Sequence, residues 1–477
     1  MNYVGVDLGT SGVKIIATDG AGNIISEVTE SYPLYSPQEG WSEQNPEDWY
    51  EATVRGLKRL KVRNVAGISF GGQMHGLVIL DKHDNVIRPC ILWNDGRAEK
   101  ETAYLNTLPV ATYTGNMAFA GFTAPKLLWV KENEPENFTR IAKIMLPKDY
   151  LVYKFTGAFA TDYSDASGTL LLDVKNKRWS GDMCQICGVT RHQLPELMES
   201  YDAVGTVKRD VASLLGWNNV TVAAGAGDNA AAAIGMGCVK NGSCNISLGT
   251  SGTLFIASDK FCSPVNNALH SFAHADGKFH LMGCILSAAS ANEWWIKQIL
   301  GANYSLADGA ADLAGRNSVM FLPYLSGERC PHNDVNVRGA FVGLSHTTTK
   351  EQMALAVLEG VAFALRDCVE LVRERGVPVN AATICGGGAN SKLWRRILAD
   401  VLNLELYTAK TEQGPSYGAA ILAMIACGEY KTTEDAANNI AEYSVAACPD
   451  PASVHAYDEQ YLRFKALYPC LKKWYAI

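Results

Sequence analysis

Apolar positions along this chain fall into short β-period runs interleaved with helix-period stripes, an alternation that predicts α/β architecture. Tyr3-Val4-Gly5-Val6 reaches Asp7, and Val13-Lys14-Ile15-Ile16-Ala17 follows after Leu8-Gly9-Thr10-Ser11-Gly12. Strand, Gly-Thr-Ser-Gly turn and strand predict a hairpin. The same five turn residues recur as Leu248-Gly249-Thr250-Ser251-Gly252, half a chain later in 477 residues. Cys244-Asn245-Ile246-Ser247 precedes this second copy and Thr253-Leu254-Phe255-Ile256 follows it. A repeat at half the chain length predicts two duplicated domains, which we bound at 1–241 and 242–477.

The rest of the pattern fills in the halves. Asn45-Pro46-Glu47-Asp48 is a helix start, with Asn at the cap, Pro at the first helical position and acids against the dipole. That helix is expected to end near Lys61. Residues 65–70 read as a buried strand, and Gly71-Gly72-Gln73-Met74-His75-Gly76 as the loop at its carboxyl end. Residues 91–97 read as a strand leading into a helix. Residues 99–143 are mainly helical, and 146–156 begin another element. Residues 220–225 form an apolar strand that delivers Ala226-Gly227-Asp228-Asn229 onto an Ala-rich helix. In the second half, residues 351–374 carry an apolar stripe through Met353, Val357, Val361, Leu365, Val369 and Val372. A strand over 382–385 runs into Gly386-Gly387-Gly388-Ala389-Asn390, and a helix over 392–402 follows. Tyr457, Tyr461, Phe464, Tyr468 and Leu471 recur at helical intervals as a packing stripe.

Chemistry enters at the hairpin tips. Glycines let a backbone approach a phosphate closely, and successive amides form an anion-binding nest. Gly9, Thr10, Ser11 and Lys14 in the first copy, and Gly249, Thr250 and Ser251 in the second, are therefore expected to hold the phosphates of one nucleotide. The copies differ: Asp7 and Lys14 flank the first, Ser247 and Leu254 the second. A carboxylate beside a phosphate loop suits a bridging Mg²⁺, so Asp7 is the expected metal residue; the plainer reading is an Asp ending a strand. Three glycines between strand and helix leave nothing projecting from the backbone, and a nucleoside at Gly386, Gly387, Gly388 and Asn390 would need that. Trp93, Asn94, Asp95 and Arg97 suit stacking on and hydrogen-bonding a polar ligand, or anchoring a surface loop.

Composition narrows the partners. The hydrophobic fraction of 48% with 19% charged residues is ordinary for a globular protein with an ample core. A net charge of −7 argues against nucleic-acid and anionic-membrane partners. No apolar stretch approaches the ~18 residues of a membrane helix. The N-terminus enters the first strand at once, leaving no room for a signal peptide, and 13 cysteines look like reduced thiols; a cytoplasmic enzyme is expected. Cys184 and Cys187 have zinc-knuckle spacing without a second pair, and His270, His274 and His280 read as structural histidines on strands.

Phosphate hairpins in two α/β halves, with a Gly-rich loop, resemble the actin-like ATPase superfamily. Within it the chain resembles the FGGY carbohydrate kinases. Gly121-Phe122-Thr123-Ala124-Pro125-Lys126-Leu127-Leu128-Trp129-Val130-Lys131-Glu132-Asn133 is similar to one family signature. The stretch from Gly339-Ala340-Phe341-Val342-Gly343-Leu344 to Ala354-Leu355-Ala356-Val357-Leu358-Glu359 is similar to the other. Gly72-Gln73-Met74-His75-Gly76, Leu92-Trp93-Asn94-Asp95-Gly96-Arg97, Gly225-Ala226-Gly227-Asp228-Asn229-Ala230 and Leu325-Ser326-Gly327-Glu328-Arg329 are similar to members acting on D-xylulose. The resemblance implies two ribonuclease-H-like domains around a central cleft, using ATP with Mg²⁺. It implies Asp228 as catalytic base, whose alternative role is a helix cap. It implies sugar contacts from Gln73, Met74, His75, Trp93, Asn94, Asp95 and Asn229, and phosphorylation of the C5 hydroxyl. A sibling kinase of gluconate, ribulose or glycerol, or a non-enzymatic actin-like ATPase, are the other readings. A homodimer is compatible with all of them.

Overall fold

The computed structural model describes residues 1–263, 269–411 and 414–475. In the first half β1 (Asn2–Leu8) and β2 (Gly12–Asp19) form the predicted hairpin, with Asp7 opposite Lys14 and Leu8 opposite Val13. β3 (Ile24–Ser31) continues the antiparallel order beyond β2. On the other side of β1, β4 (Val65–Gly72) runs parallel to it. The sheet ends in β5 (Ala203–Thr206) and β6 (Thr221–Ala223), in the order β3-β2-β1-β4-β6-β5. The short β7 (Ala226–Gly227) pairs alongside the end of β4.

The second half repeats this plan. Its strands are β8 (Cys244–Leu248), β9 (Gly252–Ser258), β10 (His270–Ala273), β11 (Phe279–Ile285), β12 (Ala381–Cys385), β13 (Glu405–Ala409) and β14 (Tyr443–Ala447). They run in the order β10-β11-β9-β8-β12-β13-β14. Three antiparallel strands, two parallel strands and an antiparallel edge recur in both sheets, with β10 added in the second. The duplication read from two turns therefore extends to strand order and direction.

Both faces of β1 are covered, which explains why its interior residues are buried without alternation. Val4, Val6 and Leu8 pack with Trp49 and Leu57 of α1 (Pro46–Leu60). That helix begins as expected, the Asn45 side chain accepting from the Glu47 amide at 3.2 Å. Tyr3 and Ile16 face the opposite layer, with α2 (Asp228–Gly235) and α3 (Pro415–Ala426). The helix α3 follows the second sheet's strand β13 in the chain, yet it lies on the first sheet. A Cβ on Gly5 would stand 1.8 Å from the Ser416 carbonyl oxygen, so only glycine admits this contact. The second core gathers Ile246, Leu254 and Ile256 with Leu355, Val361 and Leu365, and the predicted stripe of Tyr457, Tyr461, Phe464 and Tyr468 packs into it.

One element differs from expectation. Residues 91–97 form no strand entering a helix: pairing stops after Cys90–Ile91 and a loop runs to the helix at Glu99–Leu105. Side-chain packing holds that loop. Arg97 lies over the Trp41 ring at 3.7 Å and pairs with Glu43 at 2.7 Å. No helix among the described residues is long and apolar enough to cross a membrane.

Candidate active site

Strand ends bring the first group of site residues together. Asp7 and Leu8 of β1 align with Gly71 and Gly72 of β4, which align with Ala226 and Gly227 of β7. Asp228 follows directly, as the first residue of α2, where the helix dipole favours a carboxylate. One Asp228 oxygen, Oδ1, accepts from the Asn229 amide at 2.7 Å and its side-chain Nδ2 at 2.9 Å. Burial pushes Asp228 up to about 6, against those two bonds. Burial likewise raises Asp7 to about 7, helped by the Asp228 charge and opposed by Lys14. Two carboxyls that feel each other thus stand at the mouth of the first hairpin. Lys14 also approaches Glu27, at 3.9 Å.

The hairpin tip is tied to the predicted sugar loop. Trp93 Nε1 donates to the Thr10 hydroxyl at 3.0 Å, and that hydroxyl bonds to Gln73 Oε1 at 3.2 Å. Gln44, which no spacing in the sequence singles out, donates to the Thr10 carbonyl at 2.7 Å and accepts from Gln73 Nε2 at 2.9 Å. Tyr32 donates to the Gly9 carbonyl. Gln73 and Asp95 are each 2% exposed. The Gln73 amide is spent on Thr10 and Gln44, and the Asp95 carboxylate on Ser42 and Arg97. Both therefore bear on the site through their neighbours, while Trp93 is 49% exposed and Asn94 is exposed beside it.

Met74 lies against Gly227, where a Cβ would stand 2.9 Å from its Cγ. His75 has a left-handed backbone, its Nδ1 is 2.8 Å from the Gly168 carbonyl, and its ring stacks on Phe122 at 4.6 Å. Burial drives its pKa down to about 3, so the ring is neutral. The Gly168 carbonyl can accept only from a protonated Nδ1, which leaves Nε2 as an acceptor.

Behind Asp228 sits a charged cluster that the sequence did not reveal. Lys148, fully buried, contacts Asp149 at 2.6 Å and Asp162 at 2.9 Å. Asp162 accepts from the Ser164 amide and the Ser200 hydroxyl, both at 2.8 Å. The Ser164 hydroxyl in turn accepts from the Gly227 amide at 3.2 Å. This chain of bonds fixes the residue immediately before Asp228.

In the second half the three glycines have separate tasks. Gly386 has φ 88°, and a Cβ there would meet the Leu248 carbonyl oxygen at 2.7 Å. A Cβ on Gly388 would meet Leu248 and Trp394, both at 2.9 Å. Gly387 has open space instead and lines a cavity of about 640 Å³ with Ala289, Asn292, Tyr304 and Asn390. The Ala289 amide donates to the Gly249 carbonyl at 2.9 Å, and Ser290 Oγ to that of Thr250 at 2.6 Å, so the cavity adjoins the second hairpin. Ser251, in that same tip, is half-buried. His270 and His274 have ordinary partners, Arg329 at 3.4 Å and the Cys238 carbonyl at 2.8 Å.

Comparison with known proteins shows the family and the fold. Residues 2–235 match the N-terminal domain of the FGGY family of carbohydrate kinases, and residues 244–427 match its C-terminal domain. The chain is 43% identical to the xylulose kinase of Escherichia coli (strain K12) over 476 residues, covering 98% of each chain. Among solved structures it resembles a ligand-bound xylulose kinase from Lactobacillus acidophilus, with TM-score 0.94 and 26% identity over 100% of this chain and 99% of that one. A gluconate kinase from the same organism superposes with TM-score 0.92 and 27% identity over 98% of both chains.

Proposed function

The chain belongs to the FGGY family of carbohydrate kinases, a family of sugar phosphotransferases, and from that premise we propose that it transfers the terminal phosphoryl group of ATP to the C5 hydroxyl of D-xylulose. The observation that carries the choice of sugar is full-length likeness to proteins named xylulose kinases. Likeness to a gluconate kinase supports the runner-up, an aldonate acceptor.

In this reading residues 1–241 supply the sugar loop and the base, and residues 242–477 the nucleoside cavity. Amides at Thr10, Ser11, Gly249, Thr250 and Ser251 cradle the phosphates, while the Gly9 amide closes its turn on the Gly12 carbonyl at 3.0 Å. Gly387 and Asn390 border the nucleoside, with Gly386 and Gly388 shaping the turn behind them. Asn229 holds Asp228 Oδ1, leaving Oδ2 for the acceptor hydroxyl. As the sugar oxygen bonds to the γ-phosphorus, its proton passes to Asp228, the bond to the β–γ bridging oxygen breaks, and ADP leaves. A carboxyl raised to about 6 is ionised at neutral pH yet a better base than an ordinary Asp. His75 Nε2 accepts from a sugar hydroxyl, and Met74 and Trp93 offer apolar surface to the carbon chain. Gln73 and Asp95 position these groups.

A divalent cation fits beside Asp7. Its carboxyl is raised by burial and by Asp228, and a nearby cation would let both acids ionise together. Mg²⁺ bound there with ATP would neutralise phosphate charge, with Asp7 as its protein ligand.

The test is identification of the product. With purified protein, ATP and D-xylulose, ³¹P and ¹³C NMR should show a phosphomonoester coupled to C5 and ADP formed in equal amount. Phosphate on C1, or ATP turnover indifferent to sugar, would overturn the proposal.

A further inference from the structure

Arg329 makes no ion pair among the described residues, although it is half-buried. Its guanidinium lies 5.1 Å from the Phe119 ring centroid, and Nη1 is 3.4 Å from His270 Nε2. Neither partner carries compensating charge: burial and Arg329 itself hold His270 well below its usual pKa. The adjacent Glu328 feels the Arg329 charge but forms no ion pair with it. Its Oε1 accepts from the Leu286 amide at 3.0 Å and the Arg329 amide at 2.7 Å, and burial pushes it up to about 8. A guanidinium has five N–H donors, and a sheltered one that meets a single neutral acceptor has donors to spare.

The residues around it come from both halves. Phe119, Phe122 and His75 belong to the first; His270 and Arg329 belong to the second. His270 starts β10, the strand added to the second sheet, and first-half side chains hold that strand. Asn116 bonds both the carbonyl and the amide of Ser271, at 2.8 and 3.0 Å, and Ser167 Oγ accepts from the Ala273 amide at 3.0 Å. His75 stacks on Phe122, Phe122 lies 5.7 Å from His270, and the Arg329 charge is felt at His75. Asp228 instead is shaped by burial and Asn229. Arg329 is thus joined to His75 through Phe122 and His270, on the second half's side of the sugar loop.

We propose that Arg329 is a sugar-recognition residue supplied by the second half, donating to the oxygens on C1 and C2 of the ketose. This is the end of the acceptor opposite the hydroxyl that Asp228 serves, and the assignment rests on the D-xylulose reading. Phe119 lies 5.1 Å from the guanidinium, within cation–π reach, and a guanidinium can fork onto two adjacent oxygens.

The experiment compares wild type, Arg329→Lys and Arg329→Met on D-xylulose and on 1-deoxy-D-xylulose, which lacks the C1 hydroxyl. Melting temperature and KM for ATP are read on the same preparations. Losing a charged hydrogen bond should cost wild type roughly 10- to 100-fold in kcat/KM on the deoxy sugar. The Arg329→Met enzyme should start that much lower on D-xylulose and lose little more, with KM for ATP unchanged and Arg329→Lys intermediate. Equal discrimination by wild type and variants would overturn the role, as would variants altered only in melting temperature. Should wild type ignore D-xylulose, the substrate reading falls by itself. Arg329 is then judged on the preferred sugar: a raised sugar KM supports recognition, and an unchanged one overturns it.

Discussion

At the scale of single residues, burial sets the chemistry. Asp228, raised to about 6 in the ligand-free protein, must be ionised to take the acceptor proton, so kcat/KM for the sugar should fall tenfold per pH unit below about 6. A pH profile of kcat/KM, taken at low sugar concentration, checks this, and an acid limb near 4 would mean an ordinary carboxylate. Asp228→Asn keeps the volume and removes the base. It should lower kcat by about 10²- to 10⁴-fold while melting temperature and ATP binding stay near wild type. Near-wild-type turnover would end the assignment. Asp7→Asn should raise the Mg²⁺ concentration giving half-maximal rate, with sugar KM little changed, because Asp7 borders the hairpin and not the His75 loop. Metal titration at saturating sugar reads that split.

At the scale of elements, the glycines make the sharpest forecasts. Gly387→Val should raise KM for ATP and spare KM for sugar, since its side chain would enter the cavity of about 640 Å³ and touch no protein atom at Cβ. Initial-rate kinetics with each substrate varied would show it. Gly418→Ala is a different experiment: its Cβ would stand 1.7 Å from the Ala231 carbonyl, where α3 crosses α2. It should destabilise by about 1–3 kcal/mol or more, read by denaturant unfolding, because backbone has no rotamer to yield. These two helices also mark where the sequence is opaque. The hairpins were legible because turn residues and strand runs announce themselves locally, and the repeat doubled the signal. The helix Pro415–Ala426 was not, because it is apolar all round and shows no stripe to read. Residues 91–97 looked like a strand and are a loop because Trp41 and Glu43, far off in sequence, hold Arg97.

At the scale of the whole molecule, two copies of one sheet plan differ around their hairpins. The first carries Asp7 at its hairpin and Asp228 at the start of α2; the second has a cavity beside its glycines. Asp228, His75 and the two Gly-Thr-Ser-Gly turns were legible as motifs. Their supports were not: Gln44 and the Lys148–Asp162–Ser164 chain hold these residues only through tertiary packing, which no spacing encodes. A site built to hydrogen-bond particular hydroxyls rejects analogues that leave those groups unpaired. The most direct measurement is therefore kcat/KM across D-xylulose, L-ribulose, gluconate and glycerol, by ADP release at saturating ATP and Mg²⁺. The account predicts D-xylulose preferred by at least about tenfold, the worth of one unpaired buried group. A clear preference for any of the other three would contradict it.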